Sequence, residues 1–299
     1  MSHMSHISHH QPILTLSTCW YNLHSKFPSE QYLLWIQNFF SLVDNFNLVV
    51  YTDSNGIKQL QNIIHKYLHI LHTKIKLIVK PITDFYGYKY KEYWIKNQKS
   101  KFRMDNNSKN IDWELYMLWC EKIHFVKETI DNKYFDTPFY GWCDIGYFRN
   151  RANDTNIKDL IIGHWGGIKV KNKLFTETQI HYACVQNNKE LFYNLQHDIV
   201  THYINKSNNK NINKNQPFSH QLTNIPCFAG GFFILNSAII SQYVQLFDYK
   251  LNYYFSNEYF VKDDQTIIKD CIFTNPHLFY IHFENTIYDN WFMFQRLLL

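Results

Sequence analysis

The sequence lacks any apolar run near the roughly 20 residues that a membrane-spanning helix needs, and its N-terminus lacks a signal-peptide core. It has no CxxC pair: the six cysteines, at positions 19, 120, 143, 184, 227 and 271, stand far apart and mostly in apolar surroundings. That spacing favours buried free thiols over disulfides or zinc ligands. No nucleic-acid-binding motif is present, and the net charge of +5 comes from lysines and arginines scattered along the chain. This modest excess suits an anionic small substrate or peripheral contact with a membrane surface, and gives no reason to expect a nucleic-acid partner. These absences predict a cytoplasmic globular protein without a transmembrane segment.

What the chain has is aromatic bulk, 24 Phe and 22 Tyr in 299 residues. Residues 1–12, which open MSHMSHISHH, read as a disordered tail, and 13–299 as one α/β domain. A β-rich run, Ile13 to Cys19, leads into the polar loop Trp20-Tyr21-Asn22. Ser29 is placed to cap a helix with Leu33, Ile36, Phe40 and Val43 on one face. Strands are expected at Phe46–Thr52 and Ile75–Val79, with a turn at Asp53–Gly56 and a helix over 57–72 between them. Strand, helix, strand is a parallel unit, and the N-terminal third therefore reads as half of a doubly wound sheet. Residues 84–110 show no clean period and read as a loop excursion. A helix from Asp112 carries Leu115, Leu118, Ile123 and Val126 on one face, with Lys122 beside that stripe. The Asn- and Lys-rich stretch at about 205–217 reads as a surface insertion.

The chemistry concentrates where Phe139–Cys143, a short strand, runs into Asp144-Ile-Gly146. Open α/β sheets bind ligands just past the C-terminal ends of their strands. A carboxylate there is a turn residue or a ligand-binding group, and the neighbouring Trp142, Gly146 and Arg149 favour the second. Gly146 admits close approach of a ligand; Arg149 can pair with a phosphate, pair with Asp144, or serve structure alone. Ala229-Gly230-Gly231 precedes an apolar strand and suits either passage of backbone beside a ligand or a simple bulge. Asp263 and Asp264 head a helical segment, so one can cap it while the other does chemistry. If that chemistry is the activation of an attacking hydroxyl, Asp264 is the first choice for the general base and Asp263 the second. His282, at the end of the last strand (Leu278–His282), is a candidate nitrogen ligand for a metal or an ordinary strand-end histidine.

Taken in order, Ser17-Thr18-Cys-Trp20-Tyr21, Val49-Val-Tyr-Thr-Asp53, Trp119-Cys-Glu-Lys122, Tyr140 to Gly146 with Arg149, Ala229-Gly-Gly-Phe-Phe233 and Asp263-Asp-Gln265 resemble the stations of the HtrL/YibB-type family, grouped with GT-A glycosyltransferases. The resemblance covers about residues 13 to 290. It implies a GT-A-like single domain with a Rossmann-like nucleotide-binding half and a mixed central sheet. It also implies transfer of a sugar, a hexose in the first instance, from a UDP- or GDP-type donor to a hydroxyl on a glycan, lipid or protein. By that resemblance Thr18, Trp20, Tyr21 and Asp53 lie at the base and ribose, Lys122 lies near the diphosphate, Asp144 takes the DxD station, and Ala229 to Gly231 border the sugar. A divalent metal, Mn2+ or Mg2+, held by Asp144 and His282, is the expected cofactor. Asp144-Ile-Gly146 supplies one carboxylate where DxD supplies two, which leaves a catalytically silent nucleotide-sugar- or glycan-binding protein of the same fold as the alternative.

Overall fold

The computed structural model describes residues 12–65, 73–99, 111–167, 175–205, 217 and 226–299. Its frame is a sheet of seven strands, β1 (Leu14–Trp20), β2 (Asn47–Thr52), β3 (Ile75–Val79), β4 (Phe139–Cys143), β5 (Ile180–Ala183), β6 (Phe232–Asn236) and β7 (Phe279–His282). They lie in the order β3-β2-β1-β4-β6-β5-β7. All pair in parallel except β6, which runs antiparallel to both β4 and β5. The expected mixed α/β architecture is therefore what the chain adopts.

The strands at the centre are buried on both faces, which explains why they read as near-continuous apolar runs. Successive side chains point to opposite faces and feed two separate cores. Tyr51, Tyr140, Trp142 and Phe233 pack on one side with the long helix Trp113–Asp131 and the helices Ile240–Ser256 and Asp264–Thr274. Leu16, Val50, Cys143 and Ile234 pack on the other with the helix Ser29–Phe40 and Phe292 to Phe294 near the C-terminus. Hydroxyl groups join the long helix to the sheet where apolar contact gives way: Ser17 Oγ and Tyr51 Oη meet Thr129 Oγ1 at 2.8 and 2.9 Å.

Local expectations fail where polar side chains take partners other than the nearest backbone. Ser29 does not cap its helix; its hydroxyl donates to Asn22 Oδ1, and Pro28 occupies the cap position. Within 84–110, residues 84–99 are ordered rather than a bare loop, with short 3-10 turns and a helix at Lys91–Gln98. The buried carboxylate of Glu121 organises this stretch by accepting the backbone N–H groups of Tyr86 and Gly87. Residues 100–110, the last part of the predicted 57–72 helix, and nearly all of the 205–217 insertion fall outside the described residues. All six cysteines are free, as expected, and none of the described helices is long and apolar enough to cross a membrane.

At the β5–β7 end of the sheet, His181 Nε2 accepts the backbone N–H of Thr176. The proton of the neutral ring therefore sits on Nδ1, which donates to His282 Nε2 at 3.1 Å. Burial holds the two imidazoles far below the usual histidine range, at about 3 for His181, where His282 adds to the effect, and about 4 for His282. Above pH about 6.5 both rings are neutral folded or unfolded and make no pH-dependent contribution. As pH falls from 6.5 towards 4, only the unfolded chain takes up these protons, so stability declines. The midpoint of thermal unfolding is expected to drop more steeply across that window in the wild type than in His282→Gln, the raised Asp264 carboxyl working the other way in both proteins alike. A difference between the two proteins that does not change from pH 6.5 to 4 would contradict this.

Candidate active site

The candidate site lies at the C-terminal edge of β4, and the reversed direction of β6 builds it. Because β6 runs against β4, Cys143 pairs with Phe232, and the turn preceding β6 arrives beside the carboxylate that follows β4. The Asp144 N–H donates to Gly231 O at 2.8 Å and locks the two together. From the long helix, Lys122 enters beneath this junction. Its ammonium lies 3.0 Å from Asp144 Oδ1 and 3.0 Å from Asp264 Oδ2, and donates to Gly230 O at 2.9 Å. Trp142 Nε1 also donates to Asp144 Oδ1 at 2.6 Å. Asp264 is held from its other oxygen by the Gln265 N–H. Its Oδ2 meets Lys122 as an ion pair without the angles of a hydrogen bond.

Exposure differs sharply among the three charges, at 7% for the Lys122 side chain and 6% for Asp264 against 42% for Asp144. Asp144 thus presents its carboxylate to solvent while the pair beneath it is shielded. Burial pushes the Asp264 carboxyl up to about 7; Lys122 pulls the other way, and Asp263 and Asp144 repel a charge there. Burial works to lower the Lys122 pKa, but Asp144 and Asp264 outweigh it and hold the ammonium firmly protonated. Asp263 serves the backbone instead, since its Oδ1 accepts Thr266 N–H and Oγ1–H at 3.1 and 3.0 Å and so caps the helix Asp264–Thr274. Of the two adjacent acids, Asp263 is the cap and Asp264 is the one that faces Lys122.

Above the triad opens a cleft of about 590 Å³, lined by Lys122, Asp144, Gly146, Arg149, Gly231, Asp263 and Asp264 from the sequence reading. Arg149 donates from Nε to Gly146 O, and its guanidinium lies 4.7 to 5.2 Å from the ring centres of Trp35, Phe27 and Phe292. No carboxylate pairs with it among the described residues, so its charge is available to an anion. A side pocket of about 100 Å³ shares Asp144, Gly146 and Arg149 with the cleft and is lined by Trp20, Tyr21 and Trp142. The polar atoms of Trp20 and Tyr21 are already engaged, by Gln59 Oε1 and Lys80 O.

Four candidates lie elsewhere. Thr18 is buried in β1, and Ala229 is buried with its N–H on Ala183 O. Asp53 lines neither cavity; its Oδ1 accepts the N–H groups of Asn55 and Gly56 and shapes the turn after β2. His282 sits three strands from β4, roughly 14 Å at ordinary strand spacing, with its Nε2 taken by His181. Residues that sequence reasoning missed line the cleft too: Lys26, Phe27, Arg151, Lys262 and Trp291. They come from loops and, for Trp291, a short 3-10 turn, none with a periodic pattern, and only the spacing of Arg151 from Arg149 offered a signal.

A divalent ion is the cofactor that the sequence resemblance implies, but the donor set among the described residues does not suit one. Asp144 Oδ1 and Asp264 Oδ2 face an ammonium, Asp263 is committed to its cap, and His282 is remote. Among the described residues, no group of three or more His, Cys, Asp or Glu side chains is placed to hold a metal ion.

No family model matches the chain, and no curated protein matches it. Among solved structures it is similar to mouse xyloside xylosyltransferase 1 in its apo form, with a TM-score of 0.40 and 13% identity over 90% of this chain and 84% of that one. A likeness of that strength leaves the functional reading to the site's own chemistry.

The close fit of backbone to carboxylate is directly testable at Gly230, where a Cβ would lie 2.5 Å from Asp264 Oδ2. Gly230→Ala is expected to lose about 1–3 kcal/mol through overpacking, as measured by urea unfolding. Unchanged stability would mean the carboxylate moves aside freely.

Proposed function

We propose that this protein is a glycosyltransferase that moves a sugar from a nucleotide-sugar donor to an acceptor hydroxyl. The observation that carries the reading is the pairing of one solvent-facing and one shielded carboxylate, Asp144 and Asp264, by Lys122 at a strand's C-terminal edge, under a cleft with an arginine that has no carboxylate partner among the described residues. The order of the sequence stations, which resembles that of HtrL/YibB-type glycosyltransferases, supports it as well. The donor diphosphate lies towards Arg149, and the sugar passes over Gly231, where backbone replaces side-chain volume. Asp264 is the general base. As the acceptor oxygen bonds to the anomeric carbon, the bond from that carbon to the diphosphate oxygen breaks, the hydroxyl proton passes to Asp264, and the nucleoside diphosphate leaves with the bonding electrons. A carboxyl whose pKa lies near 7 accepts a proton well at neutral pH.

Since Asp264 must be ionised to act, turnover is expected to rise with pH through about 7 and then level off. Asp264→Asn is expected to lower kcat by about 100-fold or more while leaving the donor Kd nearly unchanged. Release of free nucleotide from a panel of UDP- and GDP-sugars, with and without candidate acceptors, provides the assay. Full turnover in Asp264→Asn with loss in Asp144→Asn would move the base to Asp144, and release from no donor would remove the transferase reading.

A further inference from the structure

Lys122 stands among three oxygens, one reached by a hydrogen bond and two as ion pairs. A lysine ammonium has three N–H groups, and here three oxygens surround it within 3.0 Å: Asp144 Oδ1, Asp264 Oδ2 and Gly230 O. Two carboxylates from different elements and a backbone carbonyl are the oxygen set that a hard divalent cation would use. The nitrogen is tethered to the interior of the long helix and buried, so an incoming ion would have to expel a fixed positive charge and the stem that carries it.

The cleft also has enough positive charge of its own for a diphosphate. Its lining includes six cationic side chains, Lys26, Lys122, Arg149, Arg151, Lys262 and Lys269, against four carboxylates, Asp144, Asp263, Asp264 and Asp289. Arg151 is spent on Asp154 and Asp289. Arg149 offers a planar fork with no acidic partner among the described residues, the geometry that binds phosphate oxygens two at a time. Without the ammonium the two facing carboxylates would repel an anion; with it, the floor of the cleft is screened and the rim is cationic.

Resting on the donor reading above, we propose that Lys122 is a built-in counter-cation standing where a divalent metal would bridge the two carboxylates, so that this site binds the diphosphate of its nucleotide without metal. The arrangement assigns Arg149 to the phosphate oxygens and leaves Lys122 to keep Asp144 and Asp264 together beneath them.

The test is calorimetric titration of the full chain with UDP and with GDP, once in EDTA and once in excess manganese. The expected result is that at least one nucleotide binds in EDTA with a Kd within about threefold of its value in manganese. Weaker binding in EDTA than that, rescued by manganese, overturns the proposal and leaves the donor reading standing. Binding of neither nucleotide under either condition removes the donor reading and this inference with it. Lys122→Met, checked for folding by circular dichroism, is expected to bind about tenfold more weakly in EDTA and to recover with manganese, while Lys122→Arg stays insensitive to the metal. A folded Lys122→Met that binds normally in EDTA also overturns the proposal; if that variant does not fold, the wild-type titration decides.

Discussion

The contact on which the site depends is the buried ammonium of Lys122 between Asp144 and Asp264. Three segments far apart in sequence meet there: the long helix, the end of β4, and the start of the helix that Asp263 caps. Taking these charges out of water is costly, and the arrangement is stable because attraction in a shielded setting and added hydrogen bonds offset the loss of solvation. The aromatic floor contributes, since Trp142 both shields the pair and directs its indole N–H onto Asp144. Removing Lys122 or Asp264 would leave the other as an uncompensated or half-compensated buried charge, or force a change of protonation.

Topology delivers those segments. Six parallel strands set the C-terminal edge as the functional side, and the single reversed strand, β6, places its incoming turn on that same edge. Had β6 run parallel, Gly230 and Gly231 would lie at the opposite end of the sheet. The glycines matter because the carboxylates fill the space a Cβ would need: one on Gly230 would meet Asp264 Oδ2, and one on Gly231 would come within 3.2 Å of Asp144 Oδ2. The fold thus forms a cleft whose wall is backbone on one side and a rigid aromatic cage around Arg149 on the other.

The parts of this arrangement written in periodic pattern were legible in the sequence. β3 and β4 fall where their short runs and flanking residues put them, and the Trp113–Asp131 helix follows its apolar stripe, with Lys122 beside it. Asp144 was legible for a different reason, its position just past a strand end, and Asp263 and Asp264 because one of two acids before a helix tends to cap it. Long-range pairing was not legible. No local pattern says that Lys122 reaches the carboxylate 22 positions on as well as one near the C-terminus, that His282 accepts a hydrogen bond from His181, or that Asp53 spends its oxygen on its own turn. Lys26, Arg151 and Lys262 reach the cleft from irregular chain, where sequence spacing carries no direction. The order at Lys91–Gln98 was hidden because Glu121, far along the chain, ties down the backbone just before it.

Lys122 and Asp264 form one energetic unit. A double-mutant cycle measures this directly, with Lys122→Met, Asp264→Asn and the double variant compared by chemical unfolding. A coupling of at least about 1 kcal/mol is expected, with Lys122→Met far less damaging when residue 264 is already uncharged. Strict additivity of the two substitutions would contradict it.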